Sequence, residues 1–242
     1  MKRIINFSGG KSSAMMTILE YNPDTDYVVF CDTGREHEKT YKFINDFEYY
    51  ENIPIVRLGD RNSFTNFLAK RNFEHIPNLT KRSCTIELKI KVARRWARNN
   101  IGMSYDNLLG FRFDEPHRVH KNKKNWQKVN QIFPLFERKI VKENVNEFWM
   151  SKPYNLEIPS ILGNCTLCFM KGKNNIINIL RHDPNLANEW IKDEENSALK
   201  NGHTYLKGIT IAECLQIAQS PNLFTHISLD ELTPAYDCSC NA

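Results

Sequence analysis

Two groups of residues carry chemistry by their type and spacing. The first is Ser8-Gly9-Gly10-Lys11-Ser12-Ser13, which follows the apolar run Arg3-Ile4-Ile5-Asn6-Phe7 and opens a helical pattern. Two glycines let the backbone turn tightly and approach a ligand, and free N–H groups at a helix start, aided by its dipole, favour an anion. Lys11 adds a point charge, and Ser8, Ser12 and Ser13 add hydroxyl donors. The run is not a Walker A loop, because the position five before Gly10 is Ile5, and it does not fit the Gly-x-Gly-x-x-Gly dinucleotide fingerprint. On local composition alone, an ordinary glycine-rich strand-to-helix turn stays open beside the phosphate-binding reading.

The second group is Cys165-Thr166-Leu167-Cys168, whose two-residue spacing lets both thiolates reach one metal. Cys84 upstream and Cys238-Ser239-Cys240 near the end supply further thiols. One grouping is a structural Zn2+ site of Cys165, Cys168, Cys238 and Cys240. Another makes the tail pair redox-active and leaves Cys84 free, and a third makes Cys165 and Cys168 two small buried side chains at a turn. The cysteine count is seven, an odd number, and the N-terminus lacks the apolar stretch of a signal peptide. Metal or thiol chemistry is therefore expected rather than a disulfide framework. Cys31 and Cys214 lie in apolar patterns and are expected in the core. The seven histidines show no spacing such as His-Glu-x-x-His, and none is assigned to catalysis.

These residues need a scaffold, and the first half of the chain supplies one. Apolar runs at 3–7, 26–31, 53–58 and 107–112 read as strands, and 131–136 leads into a short fifth. Helical patterns fall between them at 12–21, 38–50, 63–70 and 85–99. Strands alternating with helices indicate βαβ units and a parallel sheet. The expected fold class is α/β, a doubly wound, mostly parallel five-stranded sheet. Beyond about residue 140 convincing strands disappear, and 145–150, 171–181, 184–195 and 211–219 look helical. We read residues 1–140 as the nucleotide-binding domain and 141–242 as a helical C-terminal portion packed on it, since no Gly/Ser- or Pro-rich linker separates them. Trp96, Trp149 and Trp190 sit on helical patterns and are expected to pack.

A hydrophobic fraction of 41% with 25% charged residues is ordinary for a soluble globular chain. No apolar run approaches the roughly 20 residues needed to span a bilayer, so no membrane partner is expected and the expected location is the cytoplasm. The net charge of +5 permits a phosphate-rich ligand without demanding one, and its placement says more than its size. The excess concentrates at 81–98 and 118–128. The segment from His117 to Lys128, with Trp126, suits a nucleic-acid backbone with a stacked base, a lid over a nucleotide, or a solvated loop. The basic stretch with Lys89, Lys91, Arg94, Arg95 and Arg98 faces the same choice, with Lys89 the residue expected to face the site.

The loop at 8–13 resembles the pyrophosphate loop of the PP-loop ATP pyrophosphatase superfamily, usually Ser-Gly-Gly-x-Asp-Ser, with Ser12 standing where Asp is common. Further segments resemble its phosphoadenosine phosphosulfate (PAPS) reductase-like branch, in order and at plausible spacing. They are Phe30-Cys31-Asp32-Thr33-Gly34-Arg35-Glu36, Cys84-Thr85 with Lys89, Gly110-Phe111-Arg112-Phe113-Asp114-Glu115 with Arg118, and Phe133-Pro134-Leu135 with Phe148-Trp149. The resemblance implies an adenine nucleotide α-hydrolase-like fold that binds ATP with Mg2+. The phosphates would sit on 8–13 and the adenosine along the carboxyl ends of the strands, where open parallel sheets bind ligands. It makes Ser8, Gly9, Gly10, Lys11, Ser12, Ser13, Asp32, Thr33, Gly34, Lys89, Gly110, Arg112 and Arg118 the nucleotide-binding candidates, with Lys11, Asp32 and Arg112 catalytic. Asp32 as a helix cap, and Arg112 paired with Asp114 or Glu115, remain open alternatives.

In the branch that reduces adenosine phosphosulfate (APS), a Cys-Cys pair and a later Cys-x-x-Cys hold a [4Fe–4S] cluster. Here Cys84 matches the first of that pair, Thr85 replaces the second, and Cys238 or Cys240 would complete a set with Cys165 and Cys168. The resemblance thus implies an iron–sulfur cluster drawn from four of these five cysteines, with structural Zn2+ as the alternative. Two enzyme classes follow. One adenylates an acceptor with pyrophosphate release, for sulfur transfer; the resemblance suggests a nucleic-acid acceptor, since related proteins thiolate tRNA and phosphorothioate DNA, and implies a sulfur-donor protein. The other is a sulfonucleotide (APS/PAPS) reductase, but its C-terminal Glu-Cys-Gly-Leu-His-like motif is replaced by Tyr236-Asp237-Cys238-Ser239-Cys240-Asn241-Ala242. A non-catalytic nucleotide-sensing or partner-binding subunit is the third reading, supported by Ser12.

Overall fold

A computed structural model describes residues 1–122, 128–220 and 228–235. In chain order its main elements are β1 (Arg3–Asn6), α1 (Lys11–Glu20), β2 (Asp26–Asp32), α2 (Glu38–Glu51), β3 (Ile55–Gly59), α3 (Ser63–Ala69) and α4 (Lys91–Asn100). They continue with β4 (Tyr105–Leu108), α5 (Pro116–Asn122), β5 (Val129–Ile132), α6 (Pro134–Glu137), α7 (Lys142–Met150), α8 (Lys173–His182), α9 (Asn188–Ala198) and α10 (Ile211–Gln219). The five strands form one parallel sheet in the order β3-β2-β1-β4-β5, so the fold is α/β as expected.

Successive strand residues point to opposite faces, and both faces are apolar because both are covered. Ile5, Val28, Phe30 and Leu108 bury against Met16, Phe43, Phe47 and Trp149 of α1, α2 and α7. Ile4, Val29 and Tyr105 bury on the other face against Ala97 and the half-buried Trp96 of α4. Each such large side chain contributes about 1.5–3 kcal/mol of burial. The C-terminal helices form a further core in which Ile176, Ile179, Leu180, Trp190, Ile211 and Cys214 enclose Phe64, Phe67 and Leu68 of α3.

Three strand limits differ from the sequence expectation. The last strand lies at Val129–Ile132 rather than 131–136, because Pro134 lacks a ladder N–H and instead opens α6. β3 starts only after Pro54, at Ile55. β4 stops at Leu108, so Gly110, Phe111 and Arg112 lie just beyond its carboxyl end, in a loop. The basic helical run lies where expected, but its first part, Thr85–Ile90, is a wide-turn segment that leads directly into α4.

Candidate functional site

β1 and β4 are tied at their carboxyl ends, where Asn6 Nδ2 donates to Leu108 O at 3.0 Å and to Asn107 Oδ1 at 2.8 Å. The chain then turns through Ser8–Gly10 into α1. Ser13 Oγ organises that turn: it accepts from Ser8 N at 3.0 Å and donates to Gly10 O at 2.9 Å. No side chain caps α1 and its first turn holds no acidic residue, so its leading N–H groups face outward, suited to an anion. Gly110 makes this approach possible, because a Cβ there would stand 3.1 Å from Ser13 Cα. Arg112 reaches across from the same loop, with Nη1 donating to Ser12 Oγ at 3.2 Å. Its Nε also bonds Asp114 at 2.9 Å, and Glu115 lies 3.4 Å from Nη1, so the pairing with both acids coexists with the contact to the loop. Burial lowers the Lys11 ammonium below its ordinary value, opposed by the charge of Asp230.

Asp32, Thr33 and Gly34 leave β2 at the same edge of the sheet. Asp32 Oδ1 accepts from Gly34 N at 2.8 Å and from Tyr41 Oη at 2.7 Å, so its side chain is fixed rather than a helix cap. Gly34 has φ +79°, and a Cβ there would fall 2.2 Å from Arg61 O, so only glycine fits the turn. Arg61 lies over the Tyr41 ring, 3.3 Å from its centroid, and pairs with Glu38. Arg118 pairs with Glu115 at 2.5 Å and lies 4.2 Å from the Phe111 ring centroid.

Past Gly34 the chain joins this edge to the cysteine motif. Glu36 bridges Cys165 as an antiparallel pair, and Thr166 N donates to Arg35 O at 2.9 Å. Cys84, Cys165 and Cys168 line one small pocket with Thr33, Phe64, Thr85, Lys89, Asn164 and Phe169. Lys89 therefore stands on the cysteine pocket, where its charge acts on Glu36 and Cys165, rather than at the phosphate loop. Burial, then the Glu36 carboxyl, raise the Cys165 thiol far above its ordinary value, and Thr33 Oγ1 lies 3.4 Å from Sγ. Burial also raises the Glu36 carboxyl, whose Oε2 has no hydrogen-bond partner. Three thiols share this pocket, yet among the described residues no group of three His, Cys, Asp or Glu side chains is placed to hold a metal ion. Cys238 and Cys240 lie outside the described residues, as do Trp126 and most of the second half of the 117–128 loop. Cys214 is buried, and Cys31 is half-buried with its thiol 3.7 Å from Lys89 O.

Sequence reasoning missed two supports of the site. Trp149, expected only to pack, is fully buried and donates from Nε1 to Lys11 O at 3.0 Å, pinning the phosphate loop from behind. Tyr41, which orients Asp32, had no signal beyond its place on the helix after Asp32-Thr33-Gly34. Phe148-Trp149 lies among the segments that resemble the family, and a buried tryptophan must satisfy its N–H, which is the clue available in the sequence.

A parallel sheet with a Ser/Gly loop at the carboxyl end of β1, facing a second loop after β4, defines an α/β nucleotide-binding protein. The family's model settles which: the chain matches the phosphoadenosine phosphosulfate reductase domain over residues 2–148, and it belongs to that family and so to the PP-loop superfamily. It is similar to the uncharacterized nin region protein ORF290 of Escherichia phage lambda, 27% identical over 232 residues covering 84% of this chain and 78% of that protein. It is also similar to the uncharacterized protein MJ0066 of Methanocaldococcus jannaschii, 27% identical over 198 residues covering 77% of this chain and 40% of that protein. No helix among the described residues is long and apolar enough to cross a membrane.

Proposed function

We propose that the chain binds ATP with Mg2+ on residues 8–13 and activates an acceptor by adenylation, for sulfur transfer. An oxygen of the acceptor attacks the α-phosphorus, the bond to the bridging oxygen breaks, and pyrophosphate leaves. The observation that carries this reading is the reach of Arg112 to Ser12 at the uncapped start of α1, the helix that Lys11 opens. Those cations and N–H groups suit the charge that grows on the departing phosphates, and one such preorganised donor is worth about 2.7–4 kcal/mol in other enzymes. Asp32, held by Tyr41, is the carboxylate at this edge that would take the metal in the absence of an Asp at position 12. Thr33, Gly34 and Gly110 shape the cleft. A nucleic-acid acceptor, a sulfur-donor protein and a cytoplasmic setting belong to the same reading. So does the division into a nucleotide-binding part at 1–140 and a helical part at 141–242.

The cysteine pocket supports a second reading, a sulfonucleotide reductase, because Cys84, Cys165 and Cys168 lie directly behind Thr33 at the nucleotide edge. A [4Fe–4S] cluster, or a structural Zn2+, would draw on these three and on Cys238 or Cys240; no step proposed above passes through it. Ala235 N donates to Lys171 O at 3.2 Å, which anchors the chain three residues before Cys238 beside the Cys165–Cys168 segment. Metal content of anaerobically purified protein tests this assignment. Release of pyrophosphate from ATP, on addition of tRNA or DNA and abolished by Lys11→Ala, is the expected outcome for the adenylating enzyme. Release of sulfite from a phosphosulfate in the presence of thiol, with no pyrophosphate from ATP, would replace that reading by the reductase.

A further inference from the structure

Residues 81–98 hold seven cations, Lys81, Arg82, Lys89, Lys91, Arg94, Arg95 and Arg98, against one acid, Glu87. The net charge of the chain is only +5, and this stretch is one of the two places where its positive charge concentrates. The fold separates these cations by role. Lys89 turns inward to the cysteine pocket and is buried. Ala93 and Ala97 bury against the sheet, and Trp96 packs edge-on to Tyr27 with centroids 5.4 Å apart. Those contacts fix the rotation of α4, and they leave Lys91, Arg94, Arg95 and Arg98 exposed. Their spacings of three, four and seven residues put all four on one helical face. Glu87 is the acid on that side, and it is shared by Lys91 at 2.8 Å and Arg71 at 3.3 Å.

A one-sign face of this kind creates a positive potential that attracts and steers a polyanion. Lys91 to Arg98 spans about 10 Å along the helix axis. A duplex presents about one negative charge per 1.7 Å of its axis, so that length faces about six phosphate charges with four cations. The helical run that carries the face begins at Cys84 and Thr85, which line the cysteine pocket. A polyanion lying along α4 therefore ends beside the cysteine pocket. Exposed Ile86, at the start of the run, offers an apolar contact at that end.

We propose that the Lys91–Arg98 face of α4 is a docking surface for the phosphate backbone of a nucleic acid. This deepens the acceptor reading above and rests on it for the purpose of docking, but the surface is defined by charge placement alone. The contacts would be to phosphate rather than to bases, so the face sets affinity and orientation and does not read sequence.

The test measures binding of a fluorescein-labelled DNA duplex and of a labelled tRNA by anisotropy, between about 50 and 200 mM salt. Wild type is compared with the triple variant Lys91→Ala/Arg95→Ala/Arg98→Ala, with its melting temperature and ATP titration as controls for folding and for the nucleotide site. Each phosphate contact contributes about 0.9 to the slope of log affinity against log salt, so the triple variant is expected to bind more weakly with a slope shallower by about 2–3. ATP binding by that variant is expected to be unchanged. Equal slopes for the two proteins, or no binding of either nucleic acid by wild type at the low-salt end, would overturn the proposal. Nucleic acid bound by a protein that ignores ATP would sink the nucleotide reading and leave this surface standing; ATP bound without nucleic acid would do the reverse.

Discussion

Replacing Arg35 with methionine removes a buried charge while keeping most of the side chain's length. The Arg35 side chain is 2% exposed, and its Nη2 lies 2.7 Å from Asp193, itself 4% exposed. Nη1 pairs with Glu189, but that carboxylate is largely in solvent and its share is small. The guanidinium also lies 5.2 Å and 5.5 Å from the ring centroids of Phe64 and Trp190. Removing one partner of a buried pair costs about 3–5 kcal/mol, because the other charge is left without compensation. Two features place the loss at the low end. Tyr205 Oη still donates to Asp193 at 2.8 Å, and burial already holds the Asp193 carboxyl above its ordinary value, so it can take up a proton. A loss of about 3 kcal/mol lowers the melting temperature of a chain this size by roughly 6–12 °C, read by circular dichroism at neutral pH. In this variant the charged form of Asp193 is the penalised one, so the deficit should grow as pH rises through its raised value and shrink on acidification. The double variant Arg35→Met/Asp193→Asn should recover much of the loss, since no charge stays buried. A drop of under about 2 °C, or a double variant no more stable than the single one, would refute the reasoning.

Gly34→Ala forces a Cβ onto Arg61 O at a positive φ, and should cost about 2–3 kcal/mol, seen as a lower urea midpoint; an unchanged midpoint would show that the turn relaxes freely. Burial pushes the Asp26 carboxyl up, but bonds from Arg3, Thr25 and the Asn22 N–H win and hold it below its ordinary value. Its stabilisation is therefore present at neutral pH and lost as pH falls below the usual carboxylate range, and Asp26→Asn should flatten that acid limb in urea midpoints taken down to about pH 3. Parallel acid limbs in the two proteins would contradict this. Burial raises the Cys31 and Cys214 thiols to about 11, so iodoacetamide at about pH 8 should leave both unmodified in the native protein, as read by mass spectrometry. Alkylation of either at the rate of an exposed thiol would show that these thiols open to solvent.

Periodicity made the sheet legible because β1 and β2 are buried on both faces and read as unbroken apolar runs. The helix at Ile211–Gln219 was legible to the residue, since Thr210 and Glu213 form a capping box that the sequence displays. Boundaries failed where proline chemistry intervened, at Pro54 and Pro134. The loop at 8–13 was visible as chemistry because glycine, lysine and serine at a strand-to-helix turn have few other uses together. What the sequence left hidden is tertiary. The approach of Arg112 to Ser12 spans 100 positions in the chain, and Lys89 shares a pocket with Cys165 only because the wide turn at Thr85–Ile90 aims it there. The Arg35–Asp193 pair likewise joins segments 158 residues apart, so no local pattern announces it.

Calorimetric titration of anaerobically purified protein with ATP–Mg, alongside Lys11→Ala, tests the central claim most directly. A charged hydrogen bond to phosphate is worth about 1.5–3 kcal/mol, so the variant should bind ATP about ten- to a hundredfold more weakly with an unchanged melting temperature. No binding of any adenine nucleotide by wild type, or equal binding by the two proteins, would contradict the assignment of residues 8–13 as the phosphate site.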